Sequence, residues 1–206
     1  MLTIVTPAAN HHLTTAAAVC RELGIDGEAV TAFLAGAIPQ ASDAVRTWCG
    51  RTFALETIRE TFHAPEPLPS LLLSRWPLVA IDAATIGAVS LDLSEVEADL
   101  DCGSVYRLAA NRRRLSWPAG RLVVDYRAGF ILPDQEGRTL PHDIERAAIA
   151  LVKGYWFSRD RDPTLRSEDV TGVGNLSYGL AGIGQGITLP PDVEGLLSPY
   201  RAHGMG

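Results

Sequence analysis

The sequence RLVVDYRAGF at residues 121–130 alternates between apolar and polar side chains until its glycine breaks the pattern. Successive side chains of a strand point to opposite faces, so Leu122, Val124 and Tyr126 share one face and the charged residues share the other. This alternation predicts a strand in a sheet that is covered on one side only. The break at Gly129 predicts a structural joint at this point, and not an active site.

A helix is predicted after this joint, at 143–158. The sequence PHDI at 141–144 opens a stretch whose apolar residues recur at the 3.6-residue period of an amphipathic helix. Its apolar stripe consists of Ile144, Ala147, Ala148, Leu151, Val152, Tyr155 and Trp156. Adjacent helix residues diverge by about 100°, so Tyr155, Trp156 and Phe157 cannot all face the core. We expect Phe157 to meet a neighbouring subunit or another element, or to lie under a loop.

Two further helices are predicted before residue 50, at 14–23 and 27–49. Thr14 or Thr15 is a suitable N-cap for the first helix, and Gly24 is a typical stop. The second helix follows an apolar stripe, although Pro39 removes one of its backbone hydrogen bonds. Strands separated by turns are predicted over 55–128. The predicted fold class is α+β and mainly helical, with an antiparallel helix bundle, a small inserted antiparallel β-sheet and an extended glycine-rich C-terminal arm.

The composition changes after the third helix. Residues 171–186 contain six glycines among small and apolar residues, and they show no helical or strand period. This composition predicts an arm, and Pro190-Pro191-Asp192 predicts the start of a short terminal helix. The predicted domains are a core at 1–165, which holds the three helices and the strands, and the arm with its terminal helix at 166–206.

The overall composition excludes several functional classes. The chain is 47% hydrophobic and 20% charged, as is usual for globular proteins, and no segment approaches the roughly 18 apolar residues of a membrane span. Its net charge is −6 and Lys153 is its one lysine, which disfavours a dedicated nucleic-acid binder. The three cysteines are far apart and lack metal-ligand spacing. We expect no catalytic residues, no cofactor and no metal, and no association with a membrane.

An acidic stripe is the most distinctive charged feature of the sequence. Glu95, Glu97, Asp99 and Asp101 alternate with apolar residues, so they share one side of the segment if it is extended. Three interpretations remain open at this point: a solvated outer face, a divalent-ion site, and a negatively charged channel lining.

The ordered segments resemble the phage head-tail connector family, also called adaptor or head-completion proteins. The resemblance rests on DYRAGF at 125–130, LPHDIERAA at 140–148 and YWFSR at 155–159, and on the segments 41–53 and 73–78. The most similar variant serves the gene transfer agents and related prophages of alphaproteobacteria.

The resemblance implies a structural protein and not an enzyme. Its subunits would form a closed, dodecameric ring that joins the portal vertex of a phage-like capsid to the next head-completion (stopper) or tail protein. DNA would pass through this ring without specific binding. The protein would be assembled in the bacterial cytoplasm and would end at the head-tail interface of the virion. The alternatives are a soluble partner-binding module unrelated to virions, and a small hydrolase that uses carboxylates of the acidic stripe with a histidine.

Three sets of residues are candidates for this assembly role. The candidate portal contacts in the arm are Leu176, Tyr178, Leu180, Ile183 and Leu189. The candidate subunit interface consists of Phe157, Arg159 and Arg161. The acidic stripe, Glu95, Glu97, Asp99 and Asp101, is the candidate channel lining, where its repulsion of DNA would limit sticking.

Overall fold

The computed structural model describes residues 1–26, 30–159 and 189–202, together with the backbone of two strands at 167–170 and 174–177. The chain divides into two compact units. The first, here called the sheet unit, comprises residues 1–11, 52–132 and 137–139. The second, here called the helix unit, comprises residues 12–51, 133–136 and 140–206.

The sheet unit contains nine strands. They are β1 (Leu2–Thr6), β2 (Glu56–Ala64), β3 (Leu71–Leu72), β4 (Leu78–Ile86), β5 (Val89–Ser90), β6 (Val96–Ala98), β7 (Ser104–Leu108), β8 (Arg114–Leu115) and β9 (Gly120–Ala128). Five of them form one antiparallel sheet in the order β1-β2-β9-β4-β5. A second sheet has the order β3-β7-β6, and β8 also pairs with β7.

The five-stranded sheet is covered on one face, as the alternation in β9 predicts. Leu122, Val124 and Tyr126 are fully buried, whereas Arg121 and Arg127 are exposed on the opposite face. The buried face joins the short strands in one hydrophobic core, whose largest member is Trp117. The indole Nε1 of Trp117 donates a hydrogen bond to the carbonyl oxygen of Val105 (3.1 Å), so this side chain fills the core without losing its polar partner.

The joint predicted at Gly129 is present and has a clear steric cause. Gly129 has a φ of 114°, and a Cβ at this position would overlap the carbonyl oxygen of Ala54. The flanking backbone is held on both sides, because Phe130 N donates to Phe53 O (2.7 Å) and Leu55 N donates to Phe130 O (2.9 Å). Only glycine meets both requirements, a positive φ and a close approach of two backbones.

The helix unit contains α1 (Ala16–Leu23), α2 (Thr31–Cys49), α3 (His142–Ser158) and α4 (Pro191–Leu197). Two strands, β10 (Ser167–Val170) and β11 (Gly174–Ser177), pair antiparallel as a hairpin. Helix α1 begins as predicted, because Thr15 accepts a hydrogen bond from Ala18 N (3.2 Å), and it ends at Gly24 with a φ of 66°.

The core of the helix unit lies between the apolar stripes of α2 and α3. Ile144, Ala147, Ala148 and Val152 of α3 are fully buried, as the helical period predicts. Helix α4 is only seven residues long, and it buries Val193 (1% exposed) and Leu197 (0% exposed). An isolated helix of this length is unstable in water, so these two contacts hold it in place.

The predicted fold class, a mainly helical bundle with a small inserted sheet, is wrong. The part of the chain that the structure describes is 34% helix and 29% strand, so the fold is a mixed α+β one in which the two kinds of element have nearly equal weight. The inserted strands are longer than the turn signals suggest, because β2, β4 and β9 each have nine residues. None of the helices that the structure describes is long and apolar enough to cross a membrane.

Candidate assembly surfaces

The open edge of the five-stranded sheet is the first candidate surface. Strand β1 forms this edge and pairs only with β2 on its inner side. Its sequence, LTIVT, contains neither a charge nor a proline, and its one register irregularity lies at its end, between Ile4 and Thr6. Ile4 and Val5 are 36% and 52% exposed. Natural sheets usually protect such edges with charges, prolines or bulges, because an open edge is a template for another strand.

The opposite edge of the same sheet is protected. This edge consists of the two-residue strand β5 beside β4, and β4 has two register irregularities against β9, between Leu78 and Ala80 and between Ile81 and Ala83. The following chain also returns to this strand, with Leu78 N donating to Leu100 O (2.8 Å) and Leu91 N donating to Ala84 O (2.9 Å). The two edges therefore differ in their capacity to accept a further strand.

The solvent-facing side of this sheet is polar and internally paired. Arg59 donates two hydrogen bonds to the Asp125 carboxylate (2.7 and 2.6 Å), which raise the pKa of the Arg59 guanidinium. Arg127 makes a second pair with Asp82 (3.2 Å). Exposed pairs of this kind contribute little stability, so they serve mainly to give the face a fixed charge pattern.

The C-terminal end of α3 is the second candidate surface. Phe157 is 65% exposed, so no other described part of the chain covers it. Beside it, Trp156 packs edge-on against Phe33 (5.2 Å between ring centroids), and the Arg159 guanidinium lies over the Trp156 ring (3.3 Å). This cluster combines an exposed aromatic ring with a cation, the residue types enriched at protein interfaces. Arg161, the third predicted interface residue, lies outside the described residues.

The acidic stripe is less regular than the sequence suggests. Only Val96–Ala98 is strand, and Glu95 ends a 3-10 turn at Leu93–Glu95. The carboxylate of Asp99 accepts hydrogen bonds from the backbone N–H groups of Asp101 and Cys102 (3.1 and 3.2 Å), which turns the chain away from the strand direction. The same bonds, above all the one from Cys102, lower the pKa of Asp99.

One carboxylate of the stripe already has a cationic partner. Glu97 accepts a hydrogen bond from Arg114 (3.1 Å), and the Arg114 guanidinium also lies over the Tyr106 ring (3.6 Å). Neither this pair nor the Asp99 turn has the convergent acid, base and pocket that a hydrolytic site needs. In the described ranges, no group of three His, Cys, Asp or Glu side chains is placed to hold a metal ion.

The predicted portal contacts are only partly described. Leu176 lies in β11, of which the backbone alone is described, and Tyr178, Leu180 and Ile183 lie outside the described residues. Leu189 is 6% exposed within the chain itself, and its backbone N–H donates to the Glu194 carboxylate (3.3 Å). Leu189 therefore anchors the start of α4 in this conformation.

A groove of about 750 Å³ lies in the helix unit, along α1, α3 and α4. Its floor includes Ile149 and Leu196, and its rim is charged. On this rim Lys153 donates to Glu22 (2.8 Å), and this hydrogen bond lowers the pKa of Glu22. The groove is open, and the ion pair between Lys153 and Glu22 lies on it, so it has the features of a surface between helices more than those of a substrate pocket.

A buried polar network in the sheet unit was missed by the sequence analysis. Glu60 is 5% exposed and accepts hydrogen bonds from Tyr126 Oη (2.8 Å), from Ser74 N (3.0 Å) and from Ser74 Oγ. These donors offset the desolvation of the carboxylate. Glu60 lies two residues after the buried Ile58 in β2, so both side chains are on the same face of the strand. A charged residue at a position on the apolar face is the sequence signal that could have revealed this network. The network fixes the loop at Ser74 to the sheet.

Comparison with known proteins gives one family and one fold. The family model "Head completion protein" matches residues 12–203. Three similar solved structures are the neck of an empty gene transfer agent (GTA) particle computed with C6 symmetry, the neck of a native GTA particle computed with C12 symmetry, and the virion of a native GTA particle. Their TM-scores are 0.59, 0.55 and 0.54. Each matched chain is 18% identical in sequence to this one, and each alignment covers 100% of this chain and 97% of the matched chain. At this identity the likeness establishes a shared fold. No curated protein matches the chain.

Proposed function

Because this chain belongs to the head completion protein family, we propose that it forms a ring that joins the portal vertex of a phage-like capsid to the next head-completion or tail protein. As a member of that family it is a structural protein of a virus-like particle and not an enzyme. The ring, its partners and the passage of DNA through it are the proposal.

The observation that carries this proposal is the extent of the match. The family model spans residues 12–203 of a 206-residue chain, so almost the whole chain is accounted for. The fold likeness to GTA necks also extends over both chains, at 100% and 97%. One of those necks was computed with C12 symmetry, which supports a dodecamer for this chain as well.

Ring closure requires each subunit to offer two different surfaces that fit one another. The cluster at the end of α3 supplies one of them, since Phe157 is exposed and Arg159 is stacked on its neighbour Trp156. We place Phe157, Arg159 and Arg161 at the contact between adjacent subunits. Burial of one phenylalanine side chain contributes about 1.5–3 kcal/mol, and a closed ring repeats that contribution at every contact.

The arm supplies the contact with the portal in this proposal. Leu176, Tyr178, Leu180 and Ile183 occur in a stretch of the sequence that is rich in glycine. Leu189 would contribute through its place at the base of the arm, because it is buried when α4 is docked. A segment that becomes ordered on binding loses conformational entropy, and the burial of its apolar side chains in the partner offsets that loss.

The acidic stripe is proposed to face the DNA channel. Glu95 and Asp101 are exposed, and the hydrogen bond from the Cys102 backbone lowers the pKa of Asp99. A negative lining repels the phosphate backbone and prevents the tight, salt-dependent binding that Lys and Arg would give. The ion pair between Arg114 and Glu97 reduces this charge by one and also fixes the side chain of Glu97.

Two sets of substitutions separate portal binding from ring formation. The first changes Tyr178, Leu180 and Ile183 together to serine, which leaves helix α4 and the hairpin β10–β11 unchanged. A truncation at residue 171 would also remove Val193 and Leu197, which are buried in the helix unit. The second is Phe157→Glu, which places a charge on the proposed subunit contact.

The assay is co-purification with tagged portal protein, followed by sizing of the complex. We expect the arm variant to keep its oligomeric state and to lose the portal, and Phe157→Glu to do the reverse. Retention of the portal by the arm variant would remove the arm from the proposal, and an unchanged oligomer of Phe157→Glu would remove the α3 cluster.

A further inference from the structure

Two incomplete sheets occur in this one chain. Strand β1 has a partner on one side only, and the hairpin β10–β11 consists of two strands that pair only with each other among the described strands. A two-stranded hairpin is at best marginally stable in water, and it becomes stable when a third strand or another packing surface is added. The edge strand β1 can therefore accept a further strand, and the hairpin can be stabilised by pairing with one.

The free hydrogen-bonding groups of β1 can be assigned from its pairing with β2. Met1 and Thr61 exchange both backbone bonds, since Met1 N donates to Thr61 O (2.6 Å) and Thr61 N donates to Met1 O (2.8 Å). Hydrogen-bonded and non-hydrogen-bonded pairs alternate along an antiparallel ladder. Leu2 and Ile4 therefore direct their N–H and C=O groups away from β2, toward the open side.

We propose that the hairpin β10–β11 of one copy of the chain adds to the open edge β1 of a neighbouring copy and so extends the five-stranded sheet across the subunit boundary. The inference rests on the proposed ring, because a contact between an edge and a different segment is heterologous and generates a ring when it closes. It adds to that proposal a specific pair of elements for the contact between subunits, neither of which was predicted from the sequence for that contact.

The dimensions of the two elements agree. The hairpin strands have four residues each and β1 has five, which correspond to roughly 13 Å and 16 Å at about 3.3 Å per residue. Seven residues, 160–166, separate Arg159 from Ser167. This connection spans at most roughly 27 Å when it is fully extended.

The side chains of β1 also suit an added strand. Leu2 packs against the hydrophobic core of the sheet unit, and Ile4 lies across from the buried Ile58 on the same face. The core therefore reaches the open edge without a polar border. Main-chain bonds give such strand addition its affinity, and the apolar residues at alternate positions extend the core.

Hydrogen exchange tests this inference without requiring a known register. The exchange of amides in residues 1–6 and 167–177 is compared between the purified chain and assembled particles. We expect the outward amides of Leu2 and Ile4 to exchange rapidly in the free chain and to be slowed by about 100-fold or more in particles, together with the hairpin.

Two variants at one position then separate the backbone from the side chain. Ile4→Pro removes the outward N–H but no bond to β2, and proline is tolerated at such an edge position. Ile4→Ala keeps the N–H and shortens the side chain. Protection of the hairpin in particles should be lost in Ile4→Pro and kept in Ile4→Ala.

The other outcomes are also decisive. Protection of β1 without protection of the hairpin would overturn the proposal in favour of a strand from another protein. Absence of protection in both, in particles that contain the chain, would overturn it and leave the ring intact. Absence of the chain from particles would overturn the proposed function, and this inference with it.

Discussion

Replacement of Gly129 by alanine tests the joint on which the sheet unit depends. Gly129 has a φ of 114°, which costs a residue with a Cβ about 1–2 kcal/mol. The new Cβ would overlap Ala54 O and would lie 2.7 Å from Ala54 C and 2.9 Å from Leu55 N, all of them backbone atoms. The two backbones must separate to admit it.

The magnitude follows from the bonds that hold this site. Separation weakens the hydrogen bonds from Phe130 N to Phe53 O (2.7 Å) and from Leu55 N to Phe130 O (2.9 Å), each worth about 1 kcal/mol net. The lower entropy of the unfolded alanine chain offsets about 0.4–1 kcal/mol. The expected loss in the free energy of unfolding is therefore about 2–3 kcal/mol for Gly129→Ala.

Gly87→Ala is the matched control for this prediction. Gly87 also has a positive φ (61°), but a Cβ there would meet no atom within 4 Å. Only the cost of a positive φ for alanine remains, so the expected loss in the free energy of unfolding is about 1 kcal/mol or less. Urea unfolding of both variants, followed by tryptophan fluorescence, measures the difference. Equal losses in the two variants would refute the steric account of the joint.

Three further predictions concern a helix cap, a buried tyrosine and two cysteine thiols. Thr15→Ala should lower the stability of the helix unit by about 1 kcal/mol through loss of the α1 cap, measured by thermal unfolding. The pKa of Tyr126 is raised by burial and by the nearby Glu60 carboxylate. Its contribution to stability is complete below the unfolded pKa of about 10 and is lost as the pH rises above it, so Tyr126→Phe should flatten the alkaline fall in unfolding free energy. Burial raises the pKa of Cys49 to about 11, whereas Cys102 is exposed. A maleimide at pH 8 should therefore label Cys102 in the folded protein and Cys49 only after unfolding, which mass spectrometry of peptides would detect.

Equal alkaline slopes for wild type and Tyr126→Phe would show that this side chain is not the group that titrates. Rapid labelling of Cys49 in the folded protein would contradict the burial of α2 against its neighbours.

The features that were predicted correctly from the sequence depend on residues that are close to one another in the sequence. The cap at Thr15, the stop at Gly24 and the buried stripe of α3 each follow from residues close in sequence. The joint at Gly129 was visible because a glycine interrupts a clear alternation. These signals act before any long-range packing is known.

The sheet could not be derived in the same way. Strand β2 pairs with β9, so Glu56 is opposite Ala128, and no local pattern specifies partners this far apart. The role of β1 also depends on a distant partner. Its short apolar sequence becomes the open edge of a sheet only because β2 pairs with its other side. This is also why the helices were given too much weight in the predicted fold class.

The acidic stripe shows a different reason for error. Alternation alone predicted an extended segment at 95–101, but a single side chain changed the backbone. Asp99 binds two following N–H groups and forms a turn, so the strand ends at Ala98. Short polar side chains compete with the ladder for backbone groups, and that competition is decided by local geometry.

The most direct test of the account is the amount of this chain in purified particles, measured by quantitative mass spectrometry against the portal protein. A dodecameric ring on the portal vertex predicts one copy of the chain for each portal subunit. Absence of the chain from particles, or a content far below that of the portal, would contradict its role as a head-completion ring.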